Sequence, residues 1–452
     1  MKVLLVGCGK IGKTIAEELA KENHELYLLD KDKDVLTELS TTLDCMAFVG
    51  DGNNLEDLIS AGAKDCEVII SMCEQDEVNM LACLFAKSIN PNLKTIARIR
   101  DPKFENSIRN IKDRLSINNI VNPEELTARE IYAILSNPVA LKTESFARSR
   151  VRYITFKVPA DSFLVDKKVM DVSNDINNSV KLMGVERDNE TIIVSGDTVI
   201  KANDKLTVIG RPIAISSFLQ RVGIISKIIK TVAIVGASNT AQYLTKYLTA
   251  AKKDIIVIDK DKSKVEAFLE KFPNVHGIYG DATENDLIKE EGIGNADAFI
   301  SLTGFDESNV MISLYMKSIS DNKVVTKVNH IACGDVLDKL DVGSIITPRM
   351  ITAGQIVTTV RGYHNAAQSA HIESLQKVMN NKAEIMSFIV NKDSAITKMP
   401  LKTLKLKNNL LICTIIRDDK VIIPGGNDTI EVGDYVVITS LNRIDRIEGI
   451  LA

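Results

Sequence analysis

The sequence predicts an α/β protein made of two tandem copies of one unit, each copy a doubly wound parallel-sheet domain followed by a small α+β module. Three observations carry that prediction. A strand, a glycine-rich turn, a helix and a second strand ending in an acid follow one another over residues 3–30. Short apolar runs alternate with amphipathic stretches through residues 1–122. The arrangement then recurs at an offset of 230 residues.

The first apolar run, Val3 to Val6, has the composition of a parallel strand covered on both faces. Gly7-Cys8-Gly9-Lys10-Ile11-Gly12 follows it. Its glycines serve in order the tight turn, the backbone approach to a diphosphate, and close helix–strand packing. The N–H groups opening the helix over Lys10–Lys13 then face a diphosphate, whose charge the helix dipole favours. The second run, Leu26–Leu29, ends in Asp30, eighteen residues beyond Gly12, with Lys31 beside it. A carboxylate there accepts both ribose hydroxyls of an adenosine and repels a 2′-phosphate. The pattern is that of a Rossmann-like nucleotide-binding domain. Cys8, inside the turn, reads as a small filler rather than a reactive thiol.

Strands are expected near 3–6, 26–29, 46–49, 67–71, 94–98 and 118–121. Ligands of open α/β sheets sit beyond the carboxyl ends of the strands, so strand ends supply the remaining candidates. Asp51, Gly52 and Asn53 follow the third strand; the local reading makes Asp51-Gly52 a turn and Asn53 or Asn54 a helix cap. Ser71, Met72 and Cys73 end the fourth strand, ahead of Asp76-Glu77-Val78-Asn79, where Asp76 reads locally as an N-cap. Arg98 ends the fifth, placed for a phosphate or a neighbouring subunit's carboxylate, or else a solvated strand-end charge.

Pro123 opens an exit helix that ends before Pro138, giving a crossover linker over 123–150. Residues 151–225 read as the small module, with strands such as Arg152–Val158 and Lys205–Ile209. The second copy has a sheet domain over 230–348, crossover helices over 349–383 opened by Pro348, and a module over 384–452. Without a gap, Gly62 pairs with Gly292, Ser71 with Ser301, Asp76 with Asp306 and Asn79 with Asn309. Asn203-Asp204 pairs with Gly433-Asp434 in the modules. No Gly/Ser- or Pro-rich linker intervenes, so packed domains are expected.

The second glycine turn departs from the first. In Gly236-Ala237-Ser238-Asn239-Thr240-Ala241, Ser238 and Ala241 replace the second and third glycines. A side chain at Ser238 crowds a diphosphate lying on the backbone. Asp259-Lys260 and Asp281-Ala282 stand where Asp30-Lys31 and Asp51-Gly52 stand in the first copy, so the ribose end is retained. The second copy is either an altered nucleotide site or a purely structural repeat.

Lysines and arginines number 56 against 60 acids, interleaved to a net charge of −4, which gives no footprint for nucleic acid. No run reaches the roughly 18 apolar residues of a membrane span, and Met1-Lys2 enters the first strand directly. A cytoplasmic chain without membrane insertion is expected. Seven cysteines without a C-x-x-C pair argue against a disulfide framework or zinc site. The five histidines are scattered, most expected at the surface and with no metal-ligand spacing; His364 and His371 are expected on one face of a crossover helix. No nucleophilic constellation is present.

The quoted motifs at 7–12, Asp30, Gly50-Asp51-Gly52, Asp76-Glu77-Val78-Asn79, Arg98 and Asn122-Pro-Glu-Glu-Leu-Thr-Ala share one further property. With the order sheet domain, module, sheet domain, module, the chain resembles the TrkA family, cytosolic regulatory subunits of bacterial Trk potassium uptake systems built from RCK (KTN) domains. The resemblance covers essentially all 452 residues. It implies NAD (NAD+ or NADH) as cofactor, with ATP or ADP as further candidates, and no catalytic residues. It implies a membrane-embedded Trk-type potassium transporter subunit as partner, and a ring in which four chains supply eight RCK units. It also implies a place on the inner face of the cell membrane, peripheral, through that partner. The alternatives are an NAD-dependent oxidoreductase and a nucleotide-sensing regulator of another cation channel or transporter. A dehydrogenase pairs its cofactor domain with a substrate domain carrying an acid or base, whereas this chain spends its second half on another copy of the same unit.

Overall fold

The computed structural model describes residues 1–101, 114–136, 142–146, 150–188, 190–224, 229–329, 340, 342–367, 372–379, 382–418 and 420–452. The first sheet domain runs β1 (Lys2–Val6), α1 (Lys10–Lys21), β2 (Glu25–Asp30), α2 (Lys33–Thr42) and β3 (Cys45–Val49). It continues through α3 (Leu55–Ser60), β4 (Val68–Ser71), α4 (Asp76–Ile89), β5 (Lys94–Arg98) and β6 (Asn119–Val121). The strands pair in parallel in the order β3-β2-β1-β4-β5-β6. The order reverses between β1 and β4, and that reversal opens a crevice at the carboxyl edge. Val3 to Val6 are buried, as helices on both faces require.

The exit helix α5 (Pro123–Ser136) leads to the first module: β7 (Lys142–Phe146), β8 (Val151–Lys157), α6 (Val169–Asp175), β9 (Val180–Arg187), β10 (Glu190–Ile193), β11 (Lys205–Gly210) and α7 (Pro212–Arg221). Its five strands are antiparallel in the order β10-β9-β11-β8-β7.

The second sheet domain comprises β12 (Thr231–Val235), α8 (Asn239–Ala250), β13 (Asp254–Asp259), α9 (Lys262–Lys271), β14 (His276–Tyr279) and α10 (Asn285–Glu290). β15 (Ala298–Ser301), α11 (Asp306–Ile319), β16 (Lys323–Lys327) and β17 (Ser344–Ile346) complete it, in the order β14-β13-β12-β15-β16-β17. After α12 (Pro348–Ala367) come β18 (Ile372–Val378), β19 (Ala383–Ile389), β20 (Leu410–Arg417), β21 (Lys420–Ile422) and β22 (Tyr435–Ser440), ordered β18-β19-β22-β20-β21.

The repeat read from the sequence is a repeat of backbone geometry. Gly7 and Gly236 share a left-handed φ of +89° and +102°, as do Asn203 and Gly433 at +67° and +95°. Asp204 and Asp434 each pair with an arginine of the preceding hairpin, Arg187 at 2.7 Å and Arg417 at 2.8 Å. The module sheets also take in the edge strands β7 and β18, which lie ahead of 151 and 384 and are polar enough to read as linker. Where crossover helices were expected over 349–383, the described residues hold one helix, ending at Ala367, and then β18; His364 lies in its last turn and His371 lies outside the described residues.

The exit helices are exchanged between the halves. Ala128, Ile131, Ile134 and Leu135 of α5 are buried in the core of the second sheet domain, against Tyr243 and Leu244 of α8. Ala353, Ile356, Val357 and Val360 of α12 are buried against Ile15, Ala16 and Leu19 of α1. Asn122 donates to the Tyr243 hydroxyl at 2.9 Å, and the Tyr363 hydroxyl donates to Asn119 at 2.6 Å. The modules stack through their sheets, Tyr153, Met183 and Ile209 against Met379, Ile385 and Val437. No helix among the described residues is long and apolar enough to cross a membrane.

Candidate functional site

Close packing dictates the first glycine turn. A Cβ at Gly7 would lie 2.7 Å from the Cys73 nitrogen, and one at Gly12 would lie 2.1 Å from the Gly7 oxygen. Gly9 differs, because a Cβ there would meet nothing within 4 Å. It is the N-cap of α1, and no side chain caps the helix. The first amides of α1 therefore have no side-chain acceptor, an arrangement that suits an anion. Asp30 is pinned beside them: Oδ2 accepts from the Cys8 amide at 2.5 Å and Oδ1 from the Asp32 amide at 2.9 Å.

Asp51 accepts from the Asn53 amide at 3.0 Å and pairs with Lys31 at 2.9 Å; that amide first, then Lys31, holds its carboxyl below the usual range. Arg98 folds over the end of β4, donating from Nη1 to the Met72 and Cys73 carbonyls at 3.3 and 3.4 Å. Burial and the neighbouring Arg100 push its pKa down against the pull of Glu124. Its Nε is buried without a hydrogen-bond partner.

A cavity of about 1460 Å³ brings together Gly7, Gly9, Lys10, Ile11, Asp30, Lys31, Asp51, Gly52, Met72, Cys73 and Arg98. Four other candidates lie off its wall. Cys8 is buried, its thiol pushed up by burial and by Asp30 while its amide serves Asp30. Gly12 is held against Gly7 inside the turn. Asn53 is exposed on the turn, and Asn54 caps α3. Ser71 is fully buried and donates to Asn79, whose amide group also bonds the Cys73 backbone and the Arg98 carbonyl, tying β4 to β5. The N-cap expected at Asp76 is Gln75; Asp76 instead accepts from the amides of Arg100 and Asp101.

The second copy keeps the acid and closes the anion site. Asp259 accepts from the Ala237 and Asp261 amides, as Asp30 does in its copy. Ser238 is the N-cap of α8, and its Oγ accepts from the Ala241 amide at 3.3 Å. Asp281 is engaged by Thr283, and Lys260 lies 5.6 Å from the Phe305 ring centroid. Gly236, Ser238, Asn239, Asp259, Lys260, Asp281 and Ala282 are all absent from the wall of the large cavity; Thr240 is on it.

Sequence reasoning missed the contribution of the second half. Phe305, Asp306, Glu307, Lys327 and Arg349 line the same cavity as Gly9, as do Arg100 and Glu124, which pair at 2.7 Å. Arg98 and Lys327, which end the corresponding strands β5 and β16 of the two copies, both face that one space. His24, one of five histidines of which most were expected at the surface, is buried. Among the described residues no group of side chains is arranged to hold a metal ion.

The TrkA-N domain family model matches residues 3–123 and 232–348, and the TrkA-C domain model matches 153–223 and 385–452. The Trk system potassium uptake protein TrkA homolog 2 of Methanosarcina mazei is 28% identical over 99% of this chain and 98% of its own. The Trk system potassium uptake protein TrkA of Halomonas elongata is 26% identical over 98% of this chain and 96% of its own. Among solved structures, a GsuK channel bound to NAD superposes with a TM-score of 0.64 at 16% identity, covering 99% of this chain and 77% of that one. A GsuK RCK domain superposes at 0.63 and 16% identity, covering 99% and 93%.

Proposed function

The chain belongs to the TrkA-N/TrkA-C family, and on that premise we propose that it is a nucleotide-responsive regulatory subunit of a Trk-type potassium uptake system. The observation that carries the nucleotide reading is Gly9: its backbone opens the helix N-terminus beside Asp30, and no internal contact asks for a glycine there. Those residues fit NAD: Asp30 takes the adenosine ribose, and the amides following Gly9 take the diphosphate. In the second copy Ser238 already supplies the oxygen that α8 requires, so the first cradle is the dinucleotide site.

The Cys73 thiol on the cavity wall is pushed up to about 11 by burial, then by Asp30. Because both halves line the cavity, a ligand that prefers one angle between them shifts the molecule toward it. Such coupling is typically worth about 1–3 kcal/mol per site. The assembly proposed is a ring of four chains giving eight RCK units; self-association is supported by the exposed apolar side chains Met46 and Val49 on β3, Leu55 and Ile59 on α3, and Leu81 and Leu84 on α4. In this reading the chain docks on the inner face of a membrane-embedded transporter subunit.

Calorimetry of the full chain with NADH, NAD+, ATP and ADP tests the binding. Gly9→Ser is expected to fold as the parent does and to lose NADH affinity at least tenfold. Potassium uptake through the partner subunit should then stop responding to nucleotide. A parent chain that takes up none of the four nucleotides overturns the reading.

A further inference from the structure

The sheet of the second module has two unlike faces. Ile385 and Val437 turn toward the first module, while Met386, Val436 and Ile438 turn the other way. That outer face is covered by Leu401-Lys402-Thr403-Leu404-Lys405-Leu406-Lys407. Its three leucines pack partly buried on the module core, and its three lysines are exposed. The backbone holds this arrangement: the Lys402 amide donates to the Gly426 carbonyl at 2.8 Å, the Lys407 amide to that of Ile450 at 2.9 Å, and Leu406 bridges Leu451. Lys405 and Lys407, on either side of that bridge, point to one side.

Among the described residues these three lysines enter no ion pair. Asp393 and Glu431, which line a surface hollow with Lys398, are already engaged, by Lys398 at 2.6 Å and by Arg417 at 2.5 Å. The first module shows the same place neutralised. There Lys167 and Lys168 pair with Asp175 and Asp197, each at 3.0 Å. At the offset of 230, Lys405 stands where Asp175 stands and Asn427 where Asp197 stands, so the second module has exchanged its acids for a lysine and an amide. Met399 and Val432, 45% and 48% exposed, add apolar surface ahead of the segment and at the hollow. Uncompensated lysines beside exposed apolar side chains suit the boundary of an anionic bilayer, which meets the first with headgroup phosphates and the second with its acyl edge.

We propose that Lys402, Lys405 and Lys407 form a contact surface of the second module for the anionic headgroups of a lipid bilayer. A bilayer is favoured over other polyanions because a chain that works against a membrane-embedded subunit is held beside one, a choice of partner that rests on the function proposed above. Contact is at the surface, by charge, and adds to whatever the transporter subunit itself supplies. The two modules, copies in fold, thereby differ in what they face.

Co-sedimentation of the full chain, without nucleotide or transporter subunit, with vesicles of phosphatidylcholine alone or mixed with phosphatidylglycerol tests this. The parent is expected to bind the mixed vesicles, to ignore the neutral ones, and to be released as added salt screens the charges. Lys402→Gln, Lys405→Gln and Lys407→Gln combined should weaken that binding about tenfold or more, because each lysine near an anionic surface contributes separately. The same three positions changed to arginine should keep it, and Lys167→Gln with Lys168→Gln in the first module should leave it unchanged. The glutamine triple should melt as the parent does, so that lost binding is not lost fold. A parent that ignores the mixed vesicles, equal binding to neutral ones, or a glutamine triple that binds as the parent does overturns the proposal. Retention of the parent on duplex DNA or on the solubilised transporter subunit, without vesicle binding, assigns the lysines to another anionic surface and also overturns it. Calorimetry with NADH judges the proposed function separately, since no vesicle result depends on a nucleotide.

Discussion

Gly9 and Ser238 occupy one position in the two copies and do opposite things there. Serine caps its helix from within; glycine leaves the helix to be capped by a ligand. Gly9→Ser should therefore raise the stability of the ligand-free chain slightly in a thermal melt, the converse of its effect on binding. Gly12→Ala is the contrasting case, since its Cβ would stand 2.1 Å from the Gly7 oxygen. A loss of typically about 1–3 kcal/mol is expected in denaturant titration. The second copy accommodates Ala241 at the matching position, buried without strain on its φ, so the two turns differ in shape and not only in residue type. The substitutions were legible in the sequence; that Ser238 turns its hydroxyl inward was not, because a cap depends on the rotamer chosen after the turn has formed.

Among the elements, α12 bears the most unusual burden. Arg361, buried on its inner face, donates Nε to Glu22 at 2.7 Å and Nη1 to Glu384 at 2.9 Å, joining α1, α12 and β19. Arg443 reaches the same Glu22 at 3.1 Å. Burial pulls the Arg361 pKa down, and Glu384 and Glu22 together more than reverse it. Arg361→Ala leaves two carboxylates short of a partner and is expected to cost about 3–5 kcal/mol by denaturant unfolding. Replacing all three charges by apolar residues of similar volume should recover most of it.

His24 lies in the same region with neither ring nitrogen bonded, its pKa pushed down to about 4 by burial, then by the N-terminal ammonium and Arg443, with Glu22 opposing. The unfolded chain protonates this ring near 6.5 and the folded chain only near 4. Its contribution to stability is thus intact above pH 6.5 and is lost as the pH falls toward 4. His24→Gln should flatten the fall of the melting temperature across that window.

At the scale of the whole molecule, the exchange of α5 and α12 makes each half complete the other. A chain ending at residue 224 leaves the apolar face of α1 uncovered and exposes that of α5. It is expected to self-associate or precipitate alone, and to elute as a stoichiometric complex when produced with residues 229–452, as size-exclusion chromatography would record. Independent monomeric folding of the first half would contradict the exchange.

The sequence by itself determined the two parallel sheets, the positions of their strands and that of the cradle, because apolar runs, glycine turns and strand-end acids are local patterns that their own backbone must satisfy. It also determined that the halves are copies, since Gly62 and Gly292 or Asn203 and Gly433 answer to the same backbone demand. Tertiary structure alone decided that the two halves share one cavity, that Ser71 and Asn79 serve a clamp rather than the crevice, and that β7 and β18 belong to the modules. The shared cavity depends on contacts between residues more than a hundred positions apart, the extra module strands on pairing at a sheet edge, and the clamp on the rotamers that Ser71 and Asn79 take once β4 and β5 have paired; no local pattern records any of these.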